Sequence, residues 1–166
     1  MQKSLAGLRA TIPAIIPAIV LLTATVGHAQ GQAQLARYGG RVGLSSEPDQ
    51  LTLGAFGTMA AFSPNVTFRP SGDLGIGSDV LTIIGNADLQ YTFSTSGGGP
   101  VPFFGGGIGL LWFDPDGGSS DTELGLQIYG GVELAYRGYQ TGIFEVRLGL
   151  DDEMPDLKLT YGFGFY

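Results

Sequence analysis

The chain has 166 residues, 29 of them glycine, no cysteine, and a formal net charge of −7 at pH 7. This length suffices for one domain, and without cysteine no disulfide can stabilise it. An acidic chain repels phosphate backbones, so the charge argues against a nucleic-acid partner.

The first 29 residues have the pattern of a secretory signal peptide. Lys3 and Arg9 give a basic start, residues 12–26 form an apolar run interrupted by two prolines, and Gly27-His28-Ala29 is a small-x-small cleavage site. The alternative is a membrane anchor, which so short a run disfavours. We therefore expect cleavage before Gln30 and one exported domain over residues 30–166. Cleavage leaves six of the eight basic residues against 15 acidic ones, a net charge of −9.

Alternating apolar and polar side chains predict four strands in the first half of the exported chain, at about 36–46, 50–60, 65–76 and 80–94. In the fourth, Leu81 and Ile83 begin an apolar face, while Asn86, Asp88 and Gln90 lie on the other. Fifteen residues is about twice a usual strand length but suits a tilted bilayer crossing. Pro70 predicts a bulge or a break in the third strand.

Four more strands are predicted at about 101–113, 122–136, 141–150 and 157–166. In the fifth, Gly105, Gly107 and Gly109 face opposite Phe104 and Ile108. Nearly all links are short, which favours antiparallel neighbours. The sequence thus predicts an all-β protein, an eight-stranded antiparallel up-and-down barrel.

Such a barrel is either a soluble lipocalin-like carrier with an apolar interior or a membrane barrel with an apolar exterior. Three features favour the membrane barrel. Charges on the polar face are nearly balanced, which suits a paired interior network: Arg37, Arg41, Arg69, Asp88, Glu123, Glu133, Glu145, Arg147 and Lys158.

The second feature is that aromatic residues gather at strand ends, as in the belts of membrane barrels. We expect Trp112 and Phe113 at one rim and the following at the other: Tyr91, Phe93, Phe103, Phe104, Tyr136, Tyr139, Tyr161, Phe163, Phe165 and Tyr166. The third is that links after odd-numbered strands hold the acidic residues, which we assign to the extracellular side: Glu47, Asp49, Asp79, Asp114, Asp116, Asp121, Asp151, Asp152, Glu153 and Asp156.

The signal peptide, the glycine-rich strands with aromatic ends and the closing LKLTYGFGFY resemble the small outer-membrane β-barrel proteins of Gram-negative bacteria, the group with the OmpA membrane domain and OmpX. The resemblance covers the whole exported chain. It implies an outer-membrane location, contact with lipid and lipopolysaccharide, and recognition of the last strand by the barrel-assembly machinery. The matching assembly residues are Phe163, Phe165 and Tyr166.

We expect a structural or surface-interaction role without catalysis. Some related barrels use a serine activated by histidine, but the one histidine here, His28, lies in the signal peptide. No metal site or cofactor is expected. Two other functions remain open, a narrow gated channel or transporter and a periplasmic lipocalin-like lipid carrier. No surface partner can be named.

Overall fold

A computed structural model describes residues 35–78, 80–95, 99–115, 121–135 and 140–166. The predicted signal peptide therefore lies outside the described residues, as do Asp79, Asp116, Tyr136 and Tyr139. The described residues form eight strands: β1 (Leu35–Ser46), β2 (Gln50–Ser63), β3 (Val66–Ile76), β4 (Val80–Thr92), β5 (Val101–Pro115), β6 (Asp121–Ala135), β7 (Gln140–Gly149) and β8 (Leu157–Phe165).

Each strand pairs antiparallel with the next, and β1 pairs with β8, so the sheet closes into a barrel. The closing ladder runs from Tyr38 opposite Phe165 to Ser46 opposite Leu157. This is the predicted fold. Closure pairs the first strand with the last, so neither β1 nor β8 is left as a free sheet edge. No helix in the described part of the chain is long and apolar enough to cross a membrane.

Side chains alternate between the interior and the outer surface, as the period of a strand requires. The described ladders shift register only near the terminal residues of two pairings, between Leu35 and Arg37 in β1 and between Ala60 and Ser63 in β2. In β8, Lys158 and Thr160 are buried inside while Leu157 and Leu159 are exposed outside. The outer face is apolar over most of its height, with Leu124 62% and Leu126 53% exposed. A lipocalin-like carrier needs the opposite facing, so the structure contradicts that alternative.

The bulge or break predicted at Pro70 is wrong for the strand itself, because β3 is continuous through this residue. β3 pairs with β4 in unbroken register from Val66 to Ile76. The ladder between β3 and β2 has a gap between Phe68 and Ser71. The pairs before and after this gap share the same register. Proline has no N–H to donate, so this side of the ladder is interrupted without bending the strand out of the sheet.

Two predicted belt aromatics have the wrong facing. Phe103 is buried inside the barrel, and Phe113 packs against buried interior residues. Both share the odd parity of the inward-facing Gly105, and parity decides the facing in a strand. Other belt residues do cluster on the outer face, where the rings of Tyr91, Phe93 and Phe104 lie 5.2 to 5.8 Å apart.

The two ends of the barrel differ in charge. By their antiparallel pairing, β1, β3, β5 and β7 all finish at the same end of the barrel, here named the acidic end. Among described side chains there, Glu47, Asp49, Asp152 and Asp156 are exposed. The opposite end, named the terminal end, holds the start of β1 and the last residues of β8.

Candidate functional site in the barrel interior

Seven of the eight strands contribute buried polar side chains to the interior, because each places one parity inside; the described inward positions of β5 are apolar or glycine. The described side chains include five buried cations and four buried anions: Arg37, Arg41, Arg69, Arg147, Lys158, Asp73, Asp88, Glu133 and Glu145. Every one of these cations has a carboxylate oxygen within 2.9 Å. Because a buried charge is costly without a partner, this pairing is what allows a charged interior.

Glu145 on β7 is the centre of the network. Its carboxylate accepts hydrogen bonds from Arg41 and Arg147, each at 3.1 Å, and from Arg69. The three arginines come from β1, β7 and β3, so one carboxylate joins opposite walls of the barrel. All four side chains are at most 2% exposed.

Two further carboxylates complete this central cluster. Arg41 donates to both oxygens of Asp73, through Nε at 2.8 Å and Nη2 at 2.7 Å, and Lys158 donates to Asp73 at 2.8 Å. Asp88 accepts from Arg147 Nη1 at 2.9 Å. The two-pronged arginine contact fixes direction as well as distance, so the cluster is geometrically rigid.

A separate ion pair lies nearer the terminal end. Arg37 donates to both oxygens of Glu133, at 2.5 and 2.6 Å, and joins β1 to β6 across the interior. The hydroxyl of Tyr166 lies 3.4 Å from Arg37 Nη1. The last residue of the chain is thus tied to the interior by its polar tip, while 67% of Tyr166 is exposed.

Buried apolar side chains fill the space between these ion pairs. Phe56, Phe103, Tyr129 and Ile143 form one cluster. The guanidinium of Arg69 lies 4.6 Å from the ring centre of Phe56, and that of Arg147 lies 4.4 Å from the ring centre of Tyr129. Desolvated cation–π contacts of this kind add stability to charges already paired with carboxylates.

Met154 closes the interior at the acidic end. It lies in the β7–β8 connection, is 3% exposed, and packs against Ile84 and Leu111 inside the barrel. A Cβ at either Gly109 or Gly125 would collide with the Met154 side chain, so these inward-facing glycines create its socket. We name this side chain and its socket the Met154 plug.

The β7–β8 connection is held in place by β6. Leu150 N donates to Leu126 O at 2.9 Å, and Leu126 N donates to the Asp151 carboxylate at 2.6 Å. The connection therefore extends the sheet beyond the end of β7, and it holds Met154 over the mouth of the barrel.

The structure brings together eight of the nine residues of the predicted charge network. The ninth, Glu123, is half-buried near the acidic end, and no ion pair joins it to a cation among the described residues. Of the predicted assembly residues, Phe163 is exposed on the outer face, and Phe165 lies opposite Tyr38, its ring 5.9 Å from that of Tyr38.

Besides the misplaced Phe103 and Phe113, sequence reasoning missed Asp73 and Met154 as residues of the interior. Asp73 has the same parity as Arg69 on β3, so continuing the alternation past Pro70 would have placed it inside. Met154 had no comparable signal, because it lies in a connection where no period applies. Within the described ranges, no three acidic, histidine or cysteine side chains converge as metal ligands.

Comparison with solved structures supports the same architecture. The chain is similar to Neisserial surface protein A, with a TM-score of 0.60 at 16% identity over 78% of this chain and 94% of that one. It is also similar to the N-terminal β-barrel domain of OprF from Pseudomonas aeruginosa, with a TM-score of 0.63 at 14% identity over the same shares. The outer-membrane enzyme PagL aligns at 15% identity over 78% and 97%, with a TM-score of 0.46.

No family model matches the sequence, and no curated protein matches it. Identities this low show the fold alone. The fold, the apolar outer face and the paired interior together define the class: a small eight-stranded membrane β-barrel. Barrels of this size have their interior filled by side chains, as this one does.

Proposed function

We propose that the chain is an integral outer-membrane β-barrel with a structural and surface-interaction role and no catalysis. The single observation that carries the proposal is the facing of the closed barrel, with apolar side chains outside and paired charges inside. In lipid, every unpaired backbone N–H or C=O group costs free energy, because no water is present to hydrogen-bond it. A closed barrel is the β-structure that pairs these groups within the sheet. The signal-peptide pattern and the shared fold support the outer membrane as its location.

The absence of catalysis rests on the side chains available after residue 29. That part of the chain holds no histidine and no cysteine, so it lacks the usual activators of a serine or thiol nucleophile. The buried carboxylates Asp73, Asp88, Glu133 and Glu145 each bind a guanidinium or ammonium group. A carboxylate held by cations is a weak general base, which favours a structural role.

The same filling argues against the alternative of a gated channel or transporter. The Met154 plug occupies the acidic end, and the cluster of Phe56, Phe103, Tyr129 and Ile143 occupies the interior toward the other. Between them the central ion pairs cross the lumen. An ion would have to separate several buried pairs at once, each costly to break.

Assembly is the mechanism we propose in most detail. After export, the barrel-assembly machinery recognises the last strand with Phe163, Phe165 and Tyr166, and β8 then closes onto β1. Phe165 lies in the closing ladder and Tyr166 beyond it. Deleting Tyr166 should therefore lower insertion in cells while leaving refolding in detergent nearly unchanged, whereas Phe165→Ala should weaken both.

One set of measurements on residues 30–166 refolded in detergent tests the proposal. We expect a heat-dependent mobility shift on SDS gels, β-rich circular dichroism, and no stepwise conductance in planar bilayers. Steady conductance would support the channel instead. Folding without detergent into a protein with no mobility shift would overturn the membrane barrel altogether.

The location is tested separately by fractionating cells that express the full chain. We expect the protein in the outer-membrane fraction, and we expect its intact mass to equal that of residues 30–166. A mass that still includes residues 1–29 would contradict cleavage, and recovery in the soluble periplasmic fraction would contradict the proposed location.

A further inference from the structure

The outer surface of the barrel carries a groove across β4, β5, β6 and β7. Its volume is about 870 Å³, which is within the usual range for ligand pockets. Its walls are apolar and include Leu89, Tyr91, Phe104, Ile128 and Phe144. No charged side chain is among its described lining residues.

Two outward-facing glycines form the floor of this groove. Gly106 on β5 lies opposite Ile128, and Gly130 on β6 lies opposite Phe104. Because the two glycines are diagonal neighbours on one face, the backbone itself is the surface there. The large side chains around them then become walls, so the sequence builds a depression into the apolar outer face.

The groove runs from the terminal end toward the middle of the barrel wall. At its terminal end the rings of Tyr91 and Phe104 lie 5.6 Å apart, and Phe93 packs on both. Aromatic rings in a barrel wall lie at the headgroup level of the bilayer. A chain that fills the groove would thus begin at the headgroups and continue into the hydrocarbon.

We propose that this groove holds one acyl chain of a glycerophospholipid from the leaflet at the terminal end. The groove is continuous with the lipid-facing surface, so lipid molecules have direct access to it. Its uncharged wall fits a hydrocarbon chain. The inference rests on the proposed membrane barrel. It goes beyond it, because general lipid contact needs no groove and no fixed binding site.

Two glycine substitutions separate the groove from the barrel. In Gly130→Leu the new side chain fills the groove, and its Cβ would lie 3.4 Å from its nearest neighbour, Phe103 O, an ordinary contact. In Gly85→Leu the same change is made on the outer face of β4 outside the groove, where nothing lies within 4 Å of a Cβ. Both should fold, and the mobility shift on unboiled gels checks this independently of lipid.

The binding experiment is native mass spectrometry of the refolded barrel in nonionic detergent, titrated with dioleoylphosphatidylethanolamine. We expect the wild type to bind one lipid and Gly85→Leu to match it. Gly130→Leu removes on the order of ten carbon–carbon contacts and should bind about tenfold more weakly. The inference is overturned if the wild type binds no lipid at low lipid-to-protein ratios, or if Gly130→Leu and Gly85→Leu bind lipid with equal affinity. It is also overturned if Gly130→Leu changes the oligomeric state and not the lipid affinity.

A negative lipid result with a normal mobility shift would refute the groove and leave the proposed barrel intact. Failure of the wild type to show the mobility shift would refute the barrel itself. The two failures are therefore distinguishable in one preparation.

Discussion

At the scale of single residues, the interior depends on a few carboxylates that each hold several cations. Glu145 accepts from Arg41, Arg69 and Arg147, which come from three different strands. A buried ion network contributes little relative to an apolar core of the same shape, but removing one partner leaves the others uncompensated. The consequence of a substitution is thus set by the charges that stay behind.

For Glu145→Gln we expect a loss of about 3–5 kcal/mol in the free energy of unfolding. The amide keeps the shape of the side chain but removes the negative charge that faces three guanidinium groups. Urea titration of the barrel in lipid vesicles, followed by the gel shift, measures the loss.

Glu123→Gln is the matched control for this prediction. Glu123 is also a glutamate on the inward parity, but it is half-buried and has no ion pair to a cation among the described residues. Its substitution should cost well under about 1 kcal/mol. Equal losses of unfolding free energy for Glu145→Gln and Glu123→Gln would contradict the central role of Glu145 in the network.

At the scale of elements, the strands could be predicted from the sequence because one face is lipid-exposed and the other is not. A period of two then fixes the facing of every residue, and β4 illustrates this with Leu81 outside and Asp88 inside. Parity would also have placed Asp73, Phe103 and Phe113 inside. They were missed where a proline or a belt of aromatics was given more weight than the alternation.

Contacts between elements could not be predicted in this way. The pairing of Arg37 with Glu133 joins strands that are not neighbours, so no local pattern contains it. The Met154 plug is a tertiary contact of a connection, and its socket depends on Gly109 and Gly125 on two other strands. The sequence supplies the list of interior charges, whereas barrel closure decides which ones meet.

The Met154 plug makes a prediction for the β7–β8 connection. Met154→Ala should cost about 2–5 kcal/mol, because it leaves a cavity where Ile84 and Leu111 now have a partner. Asp152→Ala in the same connection is exposed and should change stability by less than about 0.5 kcal/mol. Urea midpoints for both variants measure the difference, and equal midpoints would argue against a packed plug.

At the scale of the whole molecule, the barrel is inverted relative to a soluble protein. Charges that would be solvated in water are buried in pairs, and the leucines that would form a core are exposed. This inversion is stable only when a bilayer or detergent covers the outer face, because exposed apolar surface on this scale drives association in water. Membrane depth should therefore set the cost of a charge on that face.

Leu126→Arg and Leu81→Arg test this dependence on depth. Both residues face outward, but Leu126 is near the middle of β6 and lies opposite Ile108, while Leu81 is the second residue of β4 at the acidic end. We expect Leu126→Arg to cost about 2–4 kcal/mol in folding into lipid vesicles, and Leu81→Arg about 0–1 kcal/mol. In detergent micelles the difference between these two free-energy costs should be smaller, since a micelle lets a long side chain reach water. A gap of the same size in both media, or no gap in vesicles, would mean that the bilayer does not cover this face, and the proposed membrane barrel would fail with it.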